Sequence, residues 1–474
     1  MRAAAPPSTS PPRREGGAGG ERRGRSRDAR RARGDGARAL RPGERVPPWY
    51  RLPPSPLVRG AGPRSGAAAR IVVVGAGLAG CHLVHELARL GLGATLVDAA
   101  GGPARGASGN PVGIAKPFVT REPTAAERFH ADAFEHLSRL LADDRLARAA
   151  RHRPIGALQL VGDEWSERAD VERLDADGAR ARAGTALGLD GTGCALGFAR
   201  AGSLDPRALC RELLERAGPG TRFGHRLVAL RRAEDGSWRV ALAGPHGEAT
   251  IEADAVVLAN GPGIVATPWT DWLPMTPARG QMTRFAAGPG TDGRAPRTVV
   301  AGASWAVPES DGVWAGATYA RDDVDASVRA ADDEANRMAL GTLLPAFGPG
   351  EVTASSAGVR ATTPDRLPFA GPVPELDGAL AAYADLARGR PAERYPSPTC
   401  VDGLAVLGGF GSRGIVTAGW TAHLVARWLA GESAPLEAAT PLVGPARFVV
   451  RPLVRGRVPR LREPAAGVAA GGRA

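Results

Sequence analysis

The sequence predicts an α/β fold with a parallel sheet at its centre. Three neighbouring features carry that prediction: the apolar run Ile71-Val72-Val73-Val74, the turn Gly75-Ala76-Gly77-Leu78-Ala79-Gly80 behind it, and a second strand from Ala94 to Val97 ending at Asp98. A short β-branched run without a polar face suits a strand buried on both sides. With a helical stretch to about Arg89, stopped by Gly91, these features make one βαβ unit of Rossmann type.

The Gly75-x-Gly77-x-x-Gly80 spacing has a mechanical reason at each glycine. Gly75 allows the tight turn, Gly77 lets the backbone approach a pyrophosphate, and Gly80 lets helix and strand pack closely. Ala76, Leu78 and Ala79 complete the loop, and the helix N-terminus supplies amides and a positive dipole end for phosphate. Asp98 stands where an acidic side chain accepts hydrogen bonds from a ribose. Gly-rich loops are common in a chain with 64 glycines, so the flanking strand, helix and Asp98 are what make this one a dinucleotide site.

The remaining elements follow in chain order. One or two helices are expected from Pro123 to about Leu146, then a strand from Ala157 to Val161. Ser203 is read as the cap of a helix from about Pro206 to Ala217. Residues 222–231 and 238–242 alternate as strands around the turn signal Asp235-Gly236, and Ala255 to Leu258 is a further buried strand, ended by Asn260-Gly261-Pro262-Gly263. A strand-rich block is expected over about 275–320 and a helix over roughly Ser327 to Pro345. Leu404 to Leu407 reads as a strand, Gly408 to Gly414 as a tight loop, and Ile415 to Leu429 as the last helix.

The formal charge is +12 and the pI near 10.7, which by themselves suggest a polyanionic partner. The charge is uneven. Residues 1–66 hold 16 Arg against 5 acidic residues and residues 446–474 hold 7 Arg against Glu463 alone, leaving 67–445 at −5. Residues 1–66 are one-third Pro and Gly, a composition that predicts disorder, with a solvated tail or a start codon placed too far upstream preferred over a phosphate-binding role. Cys81, Cys194, Cys210 and Cys400 show no metal-ligand spacing, and no apolar run reaches membrane-spanning length. No metal, no membrane and a cytoplasmic location are the resulting expectations.

FAD and NAD share the glycine pattern. Two features favour a flavin. The small-residue segment Gly106-Ala107-Ser108-Gly109-Asn110-Pro111 suits a flat ring system, although a surface turn has the same composition. The loop Gly408 to Gly414 opens a second helix, whose amides suit the electron-rich end of a reduced flavin.

Over about residues 70–431 the sequence resembles the FAD-dependent amine and amino-acid oxidases of the glycine oxidase and D-amino-acid oxidase type, and within them the oxidase half of bifunctional tRNA-modifying enzymes. The resemblance is carried by IVVVGAGLAG (71–80), GASGNPVGIAKP (106–117), SLDPRALCRELL (203–214), VVLANGPG (256–263), PARGQM (277–282), WAGATY (314–319), GVRATTPDRLPFAGPVP (358–374) and LGGFGSRGI (407–415). GASGN, TPDRLP and GSRG are the stretches more specific to the tRNA-modifying oxidases. An Arg/Pro/Gly segment stands in place of the methyltransferase half, so a single activity is expected, and Lys116 stands where an aromatic residue is frequent.

The resemblance implies a glycine oxidase-like architecture, an FAD-binding domain interleaved with an α+β substrate domain on a mixed sheet. Its expected boundaries are 67–122, 196–265 and 355–432 for FAD, 123–195 and 266–354 for substrate, with tails at 1–66 and 433–474. FAD would be held by Gly75 to Gly80, Asp98, Ser108, Gly109, Asn110, Val228, Asn260, Gly261, Gly411, Ser412 and Gly414. The implied reaction oxidises the secondary amine of 5-carboxymethylaminomethyl-(2-thio)uridine at the tRNA wobble position, releasing glyoxylate, with O2 as final acceptor. The alternative is an oxidase of glycine, sarcosine or a D-amino acid.

A carboxylate next to the oxidised carbon calls for a guanidinium fork. Arg360 matches the carboxylate-binding Arg of these oxidases and is the first choice, with Arg413 second and an ordinary ion pair the competing reading of each. Arg366 is expected to pair with Asp365 or the backbone. Lys116 is either a cation over the flavin that helps O2 take electrons or an ordinary surface lysine, the latter preferred. Tyr319 either borders the carboxylate or packs in a strand, and His82 and His85 are read as packing residues.

Overall fold

Ile71–Val74 is the centre of a six-stranded sheet, and both of its faces meet apolar residues. The computed structural model describes residues 45–57, 69–162, 165, 168–189, 193–289 and 294–462. The strand pairs in parallel with Ala94–Asp98 on one side and Ala255–Leu258 on the other, so that Ile71 lies opposite both Ala94 and Ala255. Cys400–Gly408 extends the sheet in parallel beyond Ala255–Leu258, and Phe369–Pro374 closes that edge antiparallel. Gly220–Phe223 forms the other edge, beside Ala94–Asp98.

Alternation along the central strand divides the core. Ile71 and Val73 face a cluster with Leu83, Leu137, Leu209 and Leu424, from the helices Leu78–Arg89, Ala125–Leu140, Pro206–Ala217 and Gly414–Leu429. Val72 and Val74 face Trp238, Leu242 and Ile264 on the opposite side, where the antiparallel strands Arg226–Arg232, Trp238–Gly244 and Gly247–Ala253 cover the sheet. Each such buried side chain is worth about 1.5–3 kcal/mol of apolar transfer.

The second sheet is organised around Thr276–Ala287. That strand pairs antiparallel with Pro349–Thr362 along one edge, and with Gly312–Gly316 and Ala320–Arg321 along the other. One face is polar yet covered: Arg279, Gln281 and Thr283 reach Asp332, Asp333 and Asn336 on the helix Ala330–Leu343. The alternate residues Ala278, Gly280, Gly358 and Arg360 belong to the other face.

Several expectations are corrected. The long strand Pro349–Thr362 is absent from the sequence reading, and it places residues 355–362 in the substrate sheet. The helix Ala125–Leu140, assigned to the substrate domain, packs Phe129 and Leu137 into the core under the nucleotide sheet. Asp205, not Ser203, caps the helix Pro206–Ala217, because its carboxylate accepts from the Arg207 and Ala208 amides while Ser203 lies in the strand Gly202–Leu204. The run 222–231 is broken at Gly224 (φ 71°), after which the chain leaves the parallel sheet for the antiparallel one.

The ends also differ from expectation. Residues 45–57, taken as part of a disordered tail, hold a short helical turn Pro48–Tyr50, and Tyr50 and Ser55 are buried. Of the segment 433–474, taken as a basic tail, the described part holds helices Ala434–Val443 and Arg447–Val454. Arg447 there has no exposed surface, because Asp365 and three backbone carbonyls satisfy its guanidinium. The rest of the predicted disorder, residues 1–44 and 58–66, lies outside the described residues, as do 463–474. Among the described residues no helix is long and apolar enough to cross a membrane.

Candidate active site

The nucleotide turn is built as its glycine spacing requires. Gly75 has φ 109°, and a Cβ there would sit 2.6 Å from the backbone of Ala259 and Asn260. A Cβ at Gly80 would lie 1.8 Å from the Gly75 carbonyl oxygen, so helix and strand touch only because Gly80 has none. Gly77 is different: its Cβ would meet only the Ser108 side chain, 3.1 Å away. The helix Leu78–Arg89 starts without a side-chain cap from Gly77, and Ser108 Oγ accepts from the Leu78 amide at 3.0 Å. Ala76 and Ala79 are buried within the turn. Asp98 accepts from the Ala76 amide at 2.6 Å and the Ala100 amide at 2.8 Å, which leaves each carboxylate oxygen a further lone pair.

Two other segments meet this turn. The turn Ala107–Gly109, followed by Asn110, lies against the substrate sheet, where a Cβ at Gly358 would be 3.4 Å from Ala107 Cα. Gly109 is held close, with its Cβ position 2.8 Å from the Ala104 carbonyl. The Gly408–Gly414 loop is tied to the end of the substrate strand by the Gly411 amide, which donates to the Ala361 carbonyl at 2.8 Å. Gly411 has φ 54°, Ser412 follows it, and Arg413 precedes the helix Gly414–Leu429.

Three cations converge on these segments. Arg360 lies over Gly280, with Nη1 2.1 Å from where a Cβ would stand, and its Cζ is 5.9 Å from the Tyr319 ring centroid. Nη1 is buried without a hydrogen-bond partner, and among the described residues no carboxylate pairs with Arg360. Burial pushes its pKa below the usual arginine value. Arg413 stacks on Phe118 at 3.9 Å. Burial first, and then the charge of Arg366, lower its pKa.

Lys116 is not a surface lysine. Its Nζ donates to Gln159 Oε1 at 2.7 Å and to the Pro117 carbonyl at 2.9 Å, and lies 4.5 Å from the Phe198 ring centroid. Burial, with the charge of Arg413 second, lowers its pKa to about 8.

The matching family is described as FAD dependent oxidoreductase, over residues 70–428. The chain belongs to this family. It is 36% identical over 416 residues to the tRNA 5-methylaminomethyl-2-thiouridine biosynthesis bifunctional protein of Azoarcus sp. (strain BH72), covering 84% of this chain and 62% of that protein. To the protein of the same name from Burkholderia pseudomallei (strain 1106a) it is 35% identical over 443 residues, covering 89% and 65%. The chain thus spans less than two thirds of the length of these curated relatives. Its fold is similar to glycine oxidase from Bacillus cereus ATCC 14579, with TM-score 0.58 and 16% identity over 77% of this chain and 95% of that one. Glycine oxidase from Geobacillus kaustophilus gives 0.57 and 20%, at the same coverage.

The chain is therefore an FAD-dependent oxidoreductase, and its residues fit the cofactor. Asn260 Oδ1 is buried beside the turn with no hydrogen-bond partner among the described residues, and Gly261 (φ 58°) opens the short helical stretch Gly261–Ala266 after it. Val228 lies in the strand Arg226–Arg232 and is 49% exposed.

The other expected site residues fall as follows in the oxidoreductase. Tyr319 lies with its ring centroid 5.9 Å from Arg360 Cζ, and at 51% exposure it is not a packed strand aromatic. Arg366 does not pair with Asp365, whose carboxylate is taken by Arg447 and Arg451. His82 is buried between helices and held neutral, its pKa lowered to about 3 by burial. The sequence reading missed Gln159, Phe198 and Phe118 around the cations. Gln159 left a signal, as the one polar residue inside the strand Ala157–Val161.

Proposed function

We propose that the enzyme oxidises the CH–NH bond of 5-carboxymethylaminomethyl-(2-thio)uridine at the tRNA wobble position, removing the carboxymethyl group. One observation carries the reading: Arg360 is a half-buried arginine without a carboxylate partner among the described residues, its Nη1 buried and unpaired, set over a glycine-floored sheet face beside the flavin loops. A cation of this kind is costly unless an anion completes it. The names of the relatives support tRNA as the source of that anion.

Gly75, Gly77 and Gly80 would cradle the pyrophosphate of FAD, Asp98 its ribose, and Ser108, Asn260 and the Gly408–Gly414 loop the remainder. Bound FAD supplies the two-electron acceptor. Arg360 clamps the substrate carboxylate through two nitrogens, which orients the adjacent CH2. Arg413 and Lys116 provide positive potential at the site without themselves being spent on carboxylates. Tyr319 borders the clamp. In balance, R–NH–CH2–COO⁻ with O2 and water yields R–NH2, glyoxylate and hydrogen peroxide.

Purified protein incubated with tRNA bearing the carboxymethylaminomethyl group should release glyoxylate and shift that nucleoside to the aminomethyl form in mass spectrometry. No shift, together with peroxide from free glycine or sarcosine, overturns the tRNA reading in favour of a small-molecule oxidase. The charge of −5 over residues 67–445 is what makes that second outcome a specific alternative.

A further inference from the structure

A free amino acid brings one carboxylate to this site, and Arg360 alone answers it. Two more arginines stand at its rim. Arg366 is exposed, and among the described residues it has no carboxylate or other side-chain partner. Its natural neutraliser is the adjacent Asp365. That carboxylate is already committed, accepting from Arg447 at 2.8 and 3.0 Å and from Arg451 at 2.6 Å. The turn holds Arg366 in the left-handed region (φ 59°), a conformation that non-glycine residues seldom adopt. Its amide donates to the Thr363 carbonyl at 3.1 Å. The charge of Arg366 is felt at Arg413, so the two guanidinium groups belong to one field.

Arg321 reaches the same rim from the sheet. It lies opposite Ala278, which on its other edge lies opposite Arg360. Residues opposite one another share a face, so Arg321 and Arg360 occupy one row, two strand spacings or roughly 10 Å apart. Arg321 is also exposed and also lacks a carboxylate partner among the described residues. A single glycine moiety does not span from Arg360 to these outer charges. A nucleotide whose base substituent enters the site, and whose backbone stays outside, carries anions at the second position.

We propose that Arg366 and Arg321 are phosphate contacts at the mouth of the site, holding the strand on either side of the nucleotide whose carboxylate Arg360 receives. The proposal rests on the tRNA reading above and adds the residues that separate a polynucleotide from a free nucleoside. Phosphate contacts of this kind set register and affinity without reading sequence.

The test compares two substrates with the same amine and carboxylate: tRNA bearing the carboxymethylaminomethyl group, and the free 5-carboxymethylaminomethyluridine nucleoside, which has no phosphate. Arg366→Gln should lower the ratio of kcat/KM for tRNA over nucleoside about tenfold, mostly through KM, as loss of a charge-assisted hydrogen bond predicts. It should also reduce the slope of log(kcat/KM) against log salt by about one. Arg366→Lys should restore most of the ratio, and Arg321→Gln should give a second loss that multiplies with the first. Should Arg366→Gln not fold, Arg321→Gln carries the same readout. An unchanged ratio and slope in wild-type-like protein overturns the phosphate role, as does an equal loss on both substrates. Wild-type enzyme inert on the tRNA removes the tRNA reading itself and this inference with it.

Discussion

Asp365 and Arg447 form a two-point ion pair at 2.8 and 3.0 Å that ties the turn after the substrate strand to the last helix. Arg451 joins the same carboxylate at 2.6 Å. Arg447 is wholly buried, so its charge depends on Asp365 for compensation. Removing one member of a buried pair strands the other, at about 3–5 kcal/mol. Asp365→Asn should therefore destabilise the protein by about 3 kcal/mol in urea denaturation, with the site disordered around Arg366. A loss under 1 kcal/mol would show that the pair is not the fastening.

The same pair gives a pH dependence. Burial raises the Asp365 pKa, but Arg447 and Arg451 outweigh it and hold the carboxyl at about 2, below its ordinary 3.8. A depressed acid contributes stability that is fully present above pH 4 and is lost as pH falls through about 2. Wild-type stability should drop more steeply than that of Asp365→Asn between pH 4 and pH 2, by about 2 kcal/mol. Parallel curves would contradict the assignment.

Lys116 runs in the opposite sense. Its folded pKa is lowered from 10.5 to about 8, so the burial penalty of the ammonium is present below pH 8 and is relieved as pH rises toward 10.5. Stability of the wild type relative to Lys116→Met should rise over that interval, and turnover should lose an ionisation near pH 8 in the variant. Identical pH profiles for the two proteins would mean that Lys116 titrates as an exposed lysine.

How much of this was legible depended on how local each cause is. The strand Ile71–Val74 and the Gly75 to Gly80 turn could be read because their burial and backbone demands are written in adjacent residues. The strand Pro349–Thr362 could not. Its Ala, Ser, Gly and Thr residues show no apolar alternation, and its pairing comes from Thr276–Ala287, some seventy residues earlier. Net charge misled at the C-terminus, where Arg447 counts toward a basic tail in the sequence but is a buried partner of Asp365 in the fold. Lys116 likewise is enclosed by Gln159 and Phe198, which no local pattern around it announces.

The glycines of the nucleotide turn should separate folding from cofactor binding. Gly80→Ala puts a Cβ 1.8 Å from the Gly75 carbonyl oxygen, and overpacking against backbone costs about 1–3 kcal/mol or more. Gly77→Ala meets only the Ser108 side chain at 3.1 Å, which can give. Gly80→Ala should lower Tm in the apoprotein. Gly77→Ala should keep Tm nearly unchanged and weaken FAD retention on gel filtration. Equal effects of both on apoprotein Tm would argue against this division.

Arg360 offers the sharpest contrast, because what it costs the fold and what it gives the reaction have opposite signs. Its Nη1 is buried without a partner and its floor is the bare backbone of Gly280. A half-buried charge with one nitrogen sealed from water and unpaired destabilises, and an apolar side chain of similar length relieves that cost. Arg360→Met should therefore raise stability by about 1 kcal/mol, in the manner of other site residues that trade stability for activity. The variant should lower kcat/KM for a carboxylate-bearing substrate about a thousandfold, since two charge-assisted hydrogen bonds of about 1.5–3 kcal/mol each are lost. Arg360→Lys keeps the charge but not the fork and should fall between the two. The flavin absorption spectrum should persist in both, because Arg360 stands on the substrate strand and not on the nucleotide turn. A variant that loses stability and activity together would mark Arg360 as a structural cation instead.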